Sequence, residues 1–319
     1  MLKRTLGHSG LLVAPFAFGG NVLGWTADEA MSFKLLDAFI DGGFNLIDTA
    51  DSYSNWAPGH VGGESEALLG KWMQVRRRRH QVLVATKVGG DMGEGKNLRK
   101  AYVLRAVEAS LRRLRTDHID LYQTHWDDPG TPIGETLEAL DLLVQAGKVR
   151  SIGASNYSPV RLAESLNTSK EKGLATYVSL QPRYNLFSRE EFETQYAPLC
   201  AAHGLGVLTY YSLASGFLTG KYRTEADFGQ SVRGTSMPKY LTPRGLKILD
   251  GLDAVCQRHG ATPAAVALAW LMARPHITAP IASATSMPQL KELMAAAELR
   301  LGTEDMALLE EASAWDQAP

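Results

Sequence analysis

Cysteine is nearly absent, with Cys200 and Cys256 the only two among 319 residues. That excludes a disulfide framework and a paired-cysteine metal site, and leaves both as small core or surface thiols. No apolar run approaches the ~20 residues needed to span a bilayer. The stretch 11–20 is broken by Pro15 and ends in Gly19-Gly20 with no small-residue cleavage pattern after it, so it does not read as a secretory signal. Charge of one sign is missing too: 33 Lys and Arg against 34 Asp and Glu give a net charge of −1. No broad basic field exists for nucleic acid or an anionic membrane. The single dense cationic run, Arg76-Arg77-Arg78-Arg79-His80, closes a helical pattern, where cations complement the helix dipole and stay solvated. The expectation is a cytoplasmic protein with neither nucleic-acid nor membrane partners. The sequence does not fix its oligomeric state.

What is present is a large apolar fraction, 45%, enough to bury a sizeable core in one domain spanning 1–319. Eight short apolar runs are continuous rather than alternating, as buried parallel strands are: 16–19, 45–48, 82–86, 119–124, 149–154, 177–181, 206–211 and 278–283. A hairpin precedes them, Arg4–Leu6 turning at His8-Ser9-Gly10 into Leu11–Val13. Helical patterns lie between the runs: Ile133, Leu137, Leu140 and Val144 make one face between Thr131-Pro132 and Gly147, and Leu104, Val107, Leu111 and Leu114 make another. Caps are expected at Thr26-x-x-Glu29, Ser158-Pro159, Thr262-Pro263 and Ser286-x-x-Gln289, and a terminal helix over 303–314. The first seven runs recur about every 27 to 38 residues, the pitch of βα units. The fold class is therefore α/β, a (β/α)8 TIM barrel with an N-terminal β-hairpin and a long loop after strand 7, Gly216–Arg244, whose glycines and charges suggest a mobile flap. A doubly wound α/β fold is the alternative, weakened because no G-x-G-x-x-G follows the first strand.

Three of the runs end in ionisable groups. Asp48 and Tyr53 lie in Asn45-Leu-Ile-Asp48-Thr-Ala-Asp51-Ser-Tyr53, Lys87 closes Val82-Leu-Val-Ala-Thr-Lys87, and His125 closes Ile119-Asp-Leu-Tyr-Gln-Thr-His125. Strand ends converge in a barrel, so these residues need not be near in sequence to meet. Alone, each has a dull reading: a surface amine, a hydrogen-bonded core histidine, a rim tyrosine. Together they can protonate a carbonyl oxygen while hydride arrives at its carbon. A phenol is a suitable acid, a lysine beside it favours phenolate by charge, a carboxylate holds the lysine, and an imidazole orients the carbonyl. His125-Trp126-Asp127-Asp128 also admits a metal-hydrolase reading, but no H-x-H or second spaced histidine completes three ligands. Trp126 reads as part of the apolar wall of a substrate pocket.

The set Asp48, Tyr53, Lys87 and His125 resembles the catalytic tetrad of the aldo-keto reductases, and the resemblance runs from Lys3 to about Leu299. It implies an NADPH-dependent enzyme, NADH being possible, that interconverts small-molecule carbonyl and alcohol substrates with Tyr53 as general acid. It further implies cofactor contacts. Gly20 and Asn21 follow the first strand beside Asp48; Ser155, Asn156 and Gln181 correspond to the carboxamide holders; Tyr210 corresponds to the ring that stacks on the nicotinamide. The segment Tyr210-Tyr-Ser212-Leu213-Ala-Ser215-Gly216 departs from the family's usual aromatic-Ser-Pro-Leu-Ala, with Tyr211 and Ser212 in place of Ser and Pro. Lys221 and Arg233 remain to neutralise phosphates. Ser283, Thr285, Gln289 and Glu292 match the adenosine end, although Thr285 replaces a frequent basic residue and Leu293 a frequent Asn. No metal is implied. The same scaffold also serves cofactor-binding sensors and potassium-channel β subunits, the alternative to an enzyme.

Overall fold

The computed structural model describes residues 2–315; Met1 and residues 316–319 of the expected 1–319 domain lie outside the described residues. An antiparallel hairpin of β1 (Arg4–Thr5) and β2 (Leu12–Val13) comes first. Eight parallel strands then close into a barrel: β3 (Ala17–Gly19), β4 (Leu46–Asp48), β5 (Leu83–Val88), β6 (Ile119–Thr124), β7 (Val149–Ser155), β8 (Tyr177–Gln181), β9 (Gly206–Thr209) and β10 (Ile277–Ala282), which pairs back onto β3. The seventh run was expected to reach Tyr211 but stops at Thr209, because Tyr211 turns to φ 52°, a conformation no strand accommodates.

Helices α1 (Glu29–Asp41), α2 (Glu64–Arg76), α3 (Lys100–Leu114), α4 (Ile133–Gln145), α5 (Pro159–Lys172) and α6 (Ala197–His203) connect successive strands. The last crossover carries α7 (Pro243–His259) and α8 (Pro263–Ala273), and α9 (Met287–Ala295) and α10 (Thr303–Ala312) follow β10. Within this last crossover α7 packs on α10, the terminal helix expected over 303–314. Ser158, Thr262 and Ser286 cap as expected, each accepting from an amide of the first turn. The Gln289 side chain, however, accepts from Thr285 rather than closing a box. Two further caps are corrected. Asp28, not Thr26, accepts from the Met31 amide, and Thr131 donates its hydroxyl to Asp128 while Pro132 occupies the cap of α4.

Side chains alternate across each strand, so the barrel sorts them into two cores. Inside lie Ala17, Leu46, Ala85, Leu121, Leu208 and Ala279, sealed at the amino-terminal end by Leu6, Leu11 and Val13 of the hairpin. The seal is tight at Gly7, where φ is 52° and a Cβ would lie 2.1 Å from the Val178 carbonyl oxygen. Outside, Phe16, Phe18, Ile47, Val84 and Val88 meet the helices, with Trp72 and Trp270 fully buried between them. Truncating Trp270 would remove burial worth roughly 3–5 kcal/mol. The cationic run is more ordered than expected: Arg76 pairs with Asp37, Arg78 with Asp41, and Arg79 with buried Asp120. The segment Gly216–Arg244 also departs from the flap reading, for it buries Phe217, Tyr222, Met237 and Tyr240 and stacks Phe217 on Tyr240 at 5.6 Å.

Candidate active site

One step up each strand from the apolar interior layer, the inward residues become polar. Leu46 gives way to Asp48, Ala85 to Lys87 and Leu121 to Gln123, and β8 contributes Gln181. These are carboxyl-terminal strand ends, where barrel enzymes build their sites. Lys87 Nζ donates to Asp48 Oδ2 at 2.6 Å, to the Tyr53 hydroxyl at 2.8 Å and to the Thr49 carbonyl at 2.9 Å, which uses all three of its protons. Asp48 Oδ1 accepts from Gln181 Nε2 at 2.8 Å and from Gln123 Nε2 at 3.2 Å. The side chains of Lys87 and Asp48 are 0% and 1% exposed, so the pair is held in low dielectric with every charge-bearing atom bonded.

The half-buried Tyr53 donates to Asp48 Oδ2 at 3.3 Å, a long bond beside the 2.6 Å one that Lys87 makes to the same oxygen. Burial first, and then the Asp48 carboxylate, raise the Tyr53 phenol well above its usual range. The Lys87 ammonium, 2.8 Å from the phenol oxygen, is answered by Asp48, and the phenol holds its proton at neutral pH. Burial lowers Lys87, with Asp48 acting against the shift. His125 is held well below its usual range by burial and by Lys87 and Lys96, so its imidazole is neutral at neutral pH. Its ring lies 5.9 Å from that of Tyr53, and its Nδ1 is 3.4 Å from Ser52 Oγ.

A second set of bonds ties the neighbouring strand ends to this group. Ser155 Oγ donates to the Gln181 carbonyl, and Asn156, at φ 55°, donates Nδ2 to the His125 carbonyl at 2.8 Å. Asn156 Oδ1 accepts from the Tyr210 hydroxyl at 2.8 Å, which fixes that ring. Ser283 Oγ donates to Asn21 Oδ1, joining the ends of β3 and β10 near Gly20. Ser212 is buried and spends its hydroxyl on Thr209. Leu213, Ser215 and Gly216 form a tight turn, with Tyr211, Ala214 and Ser215 all at positive φ. Lys221 and Arg233 have no carboxylate partner among the described residues, unlike Arg223, which pairs with Asp253. Thr285 and Gln289 bond to one another, and Glu292 stands on α9.

Sequence reasoning missed Gln123, which is legible as the inward residue two positions after Leu121 and in register with Lys87. It missed Ser52, Trp25, Trp56 and Lys96, which only the folded loops bring close. The carboxylates of the metal-hydrolase reading are engaged elsewhere, Asp127 with Arg161 and Asp128 with Thr131 and the amides of Leu98 and Gly130. Among the described residues no helix is long and apolar enough to cross a membrane.

The family model described as the aldo/keto reductase family matches residues 15–314. An uncharacterized oxidoreductase of Bacillus subtilis, YrpG, is 34% identical over 313 residues, covering 95% of this chain and 93% of its own. The aldo-keto reductase YhdN of the same organism is 36% identical over 91% of this chain and 85% of its own. A probable voltage-gated potassium channel subunit beta of Arabidopsis thaliana is 32% identical over 94% and 92%. With a closed eight-stranded barrel carrying a lysine, a carboxylate, a phenol and an imidazole at its mouth, and a match across nearly its whole length, the chain belongs to the aldo/keto reductase family of oxidoreductases.

Proposed function

We propose that this protein, one catalytic barrel domain over 1–319, reduces aldehydes or ketones to alcohols, with NADPH as hydride donor and NADH as a second possibility. The observation that carries the reading is the Lys87 ammonium bonded at once to Asp48 Oδ2 and to the Tyr53 hydroxyl, with neutral His125 alongside. Tyr53 moves its proton to the carbonyl oxygen as negative charge develops there. Its raised pKa means the proton is present to give, and Lys87 at 2.8 Å stabilises the phenolate left behind. Neutral His125 orients the carbonyl oxygen through an N–H. Asp48, Gln123 and Gln181 hold Lys87 in place.

The residues present fit a dinucleotide. Gln181 gives Nε2 to Asp48 and Gln123, and its Oε1 accepts nothing among the described residues, which leaves it for a carboxamide N–H beside Ser155 and Asn156. Tyr210 offers a ring fixed by its own hydroxyl. Left-handed backbone at Tyr211, Ala214, Ser215 and Gly216 is a strained run of the kind that turns amides towards anions, costing about 1–3 kcal/mol per non-glycine residue. Lys221 and Arg233 supply uncommitted cations, and Gly20, Asn21, Ser283, Thr285, Gln289 and Glu292 would complete the adenosine end. When bound, the nicotinamide supplies hydride to the carbonyl carbon.

The test is consumption of NADPH and of NADH against a panel of aldehydes, ketosteroids, keto sugars and quinones. Turnover with no member of the panel, together with tightly retained cofactor, would instead favour the sensor or channel-accessory reading suggested by likeness to the plant channel subunit.

A further inference from the structure

The wall around the tetrad is aromatic and carries one ammonium, Lys96, that makes no ion pair among the described residues. Trp25 meets Trp56 edge-on at 5.5 Å, Trp56 meets Tyr53 at 6.0 Å, Tyr53 meets His125 at 5.9 Å, and His125 stacks on Trp126 at 6.0 Å. Trp56 and Trp126 are 49% and 38% exposed, so two large aromatic side chains reach the surface beside Tyr53. Lys96 Nζ lies over the Trp126 ring, 4.2 Å from its centroid. A ring face attracts the ammonium but leaves its charge in place. The carboxylates around it are already occupied. Glu94 pairs with Arg105, Asp127 with Arg161, Asp91 accepts from the amides of Gly93 and Gly95, and Asp128 accepts from Thr131, Leu98 and Gly130. Among the described residues no carboxylate pairs with Lys96.

We propose that the carbonyl site takes planar aromatic aldehydes or ketones bearing an anionic group remote from the carbonyl, the anion being received by Lys96 beyond the indole of Trp126. This rests on the carbonyl-reductase reading above. His125 and Lys96 both contact the Trp126 indole, so a substrate with its carbonyl at His125 and Tyr53 and its ring beside Trp126 would present a para substituent towards Lys96. Lowering of the His125 pKa by Lys96 accords with that proximity. The contact is remote from the reacting atoms and equal in ground and transition states, so it acts on KM and not on kcat.

The experiment compares kcat/KM for 4-carboxybenzaldehyde and for its uncharged methyl ester, methyl 4-formylbenzoate, in the wild type, Lys96→Ala and Lys96→Arg. The wild type should favour the carboxylate by about 3- to 5-fold at low ionic strength, the worth of an exposed ion pair, and the preference should fade with added salt. Lys96→Ala should bring the ratio to about one through KM, and Lys96→Arg should keep it. A wild-type ratio of one would overturn the anion site. A ratio that Lys96→Ala leaves unmoved would overturn the assignment to Lys96. Turnover of neither aldehyde would overturn this proposal together with the reading it rests on, whereas turnover without discrimination would leave that reading standing.

Discussion

Two buried aspartates three residues apart, Asp48 at the end of β4 and Asp51 in the loop that follows, have opposite fates. Asp48 faces the barrel mouth, where Lys87, Gln181, Gln123 and Tyr53 all donate to it. Asp51 sits behind the mouth, its Oδ1 with no partner, near Glu66. Glu66 already holds Arg113 at 2.7 Å and the Thr86 hydroxyl at 2.5 Å. Burial, and then Glu66, push the Asp51 carboxyl up to about 7, with Arg113 opposing. Residue type and depth are alike; Asp48 meets four donors, whereas burial and Glu66 raise the Asp51 carboxyl with few donors aimed at it. Asp48 is the anchor of a cation, and Asp51 is a carboxyl that carries its proton below neutrality.

The comparison breaks most visibly at Asp48. Asp48→Asn leaves the Lys87 ammonium buried without a counter-charge, and urea unfolding should show a loss of about 3–5 kcal/mol. A loss below ~1 kcal/mol would mean the pair is not what holds Lys87. Tyr53→Phe removes the proposed proton donor and keeps the ring, so kcat for carbonyl reduction should fall about 10²-fold or more while the NADPH dissociation constant stays put. Near-normal kcat would strip Tyr53 of the role.

Asp51→Asn should act with the opposite sign to Asp48→Asn. The folded pKa of Asp51, about 7, lies above the unfolded value near 3.9, so between these pH values the native state binds the extra proton. The stability that protonated Asp51 contributes is fully present below the unfolded pKa and is lost as pH rises through the folded one. The wild type should therefore lose stability from about pH 4 to pH 7. The amide variant should be flatter and, at pH 8, more stable by about 2 kcal/mol. Parallel stability curves for the two proteins would show that Asp51 is ionised throughout.

The smallest effect is expected at the cations of the loop after β9. Arg233→Ala should weaken NADPH by about 1 kcal/mol, roughly 5-fold, and NADH by less if the guanidinium reads the 2′-phosphate. Equal weakening, measured by fluorescence titration, would assign it to the pyrophosphate.

The eight strands, the hairpin and the tetrad were legible because each depends on short-range regularities: continuous apolar runs of strand length, glycine turns, and ionisable groups at the ends of those runs. Ser158-Pro159 and Thr262-Pro263 were legible for the same reason. Thr26 was misread because Asp28 takes the Met31 amide, and the flap reading of 216–244 did not anticipate that Phe217, Tyr222, Met237 and Tyr240, scattered at no regular period, are buried in the core. By itself the sequence determined that three strands end in a carboxylate, an ammonium and an imidazole, with a phenol one short loop away. The tertiary structure alone decided which carboxylate Lys87 pairs with, why Tyr53 keeps its proton, and that Lys96 stands over Trp126 with no carboxylate partner among the described residues. Each of those depends on how many donors, charges and apolar walls converge from distant strands on one point, and that number is written in no local stretch of the chain.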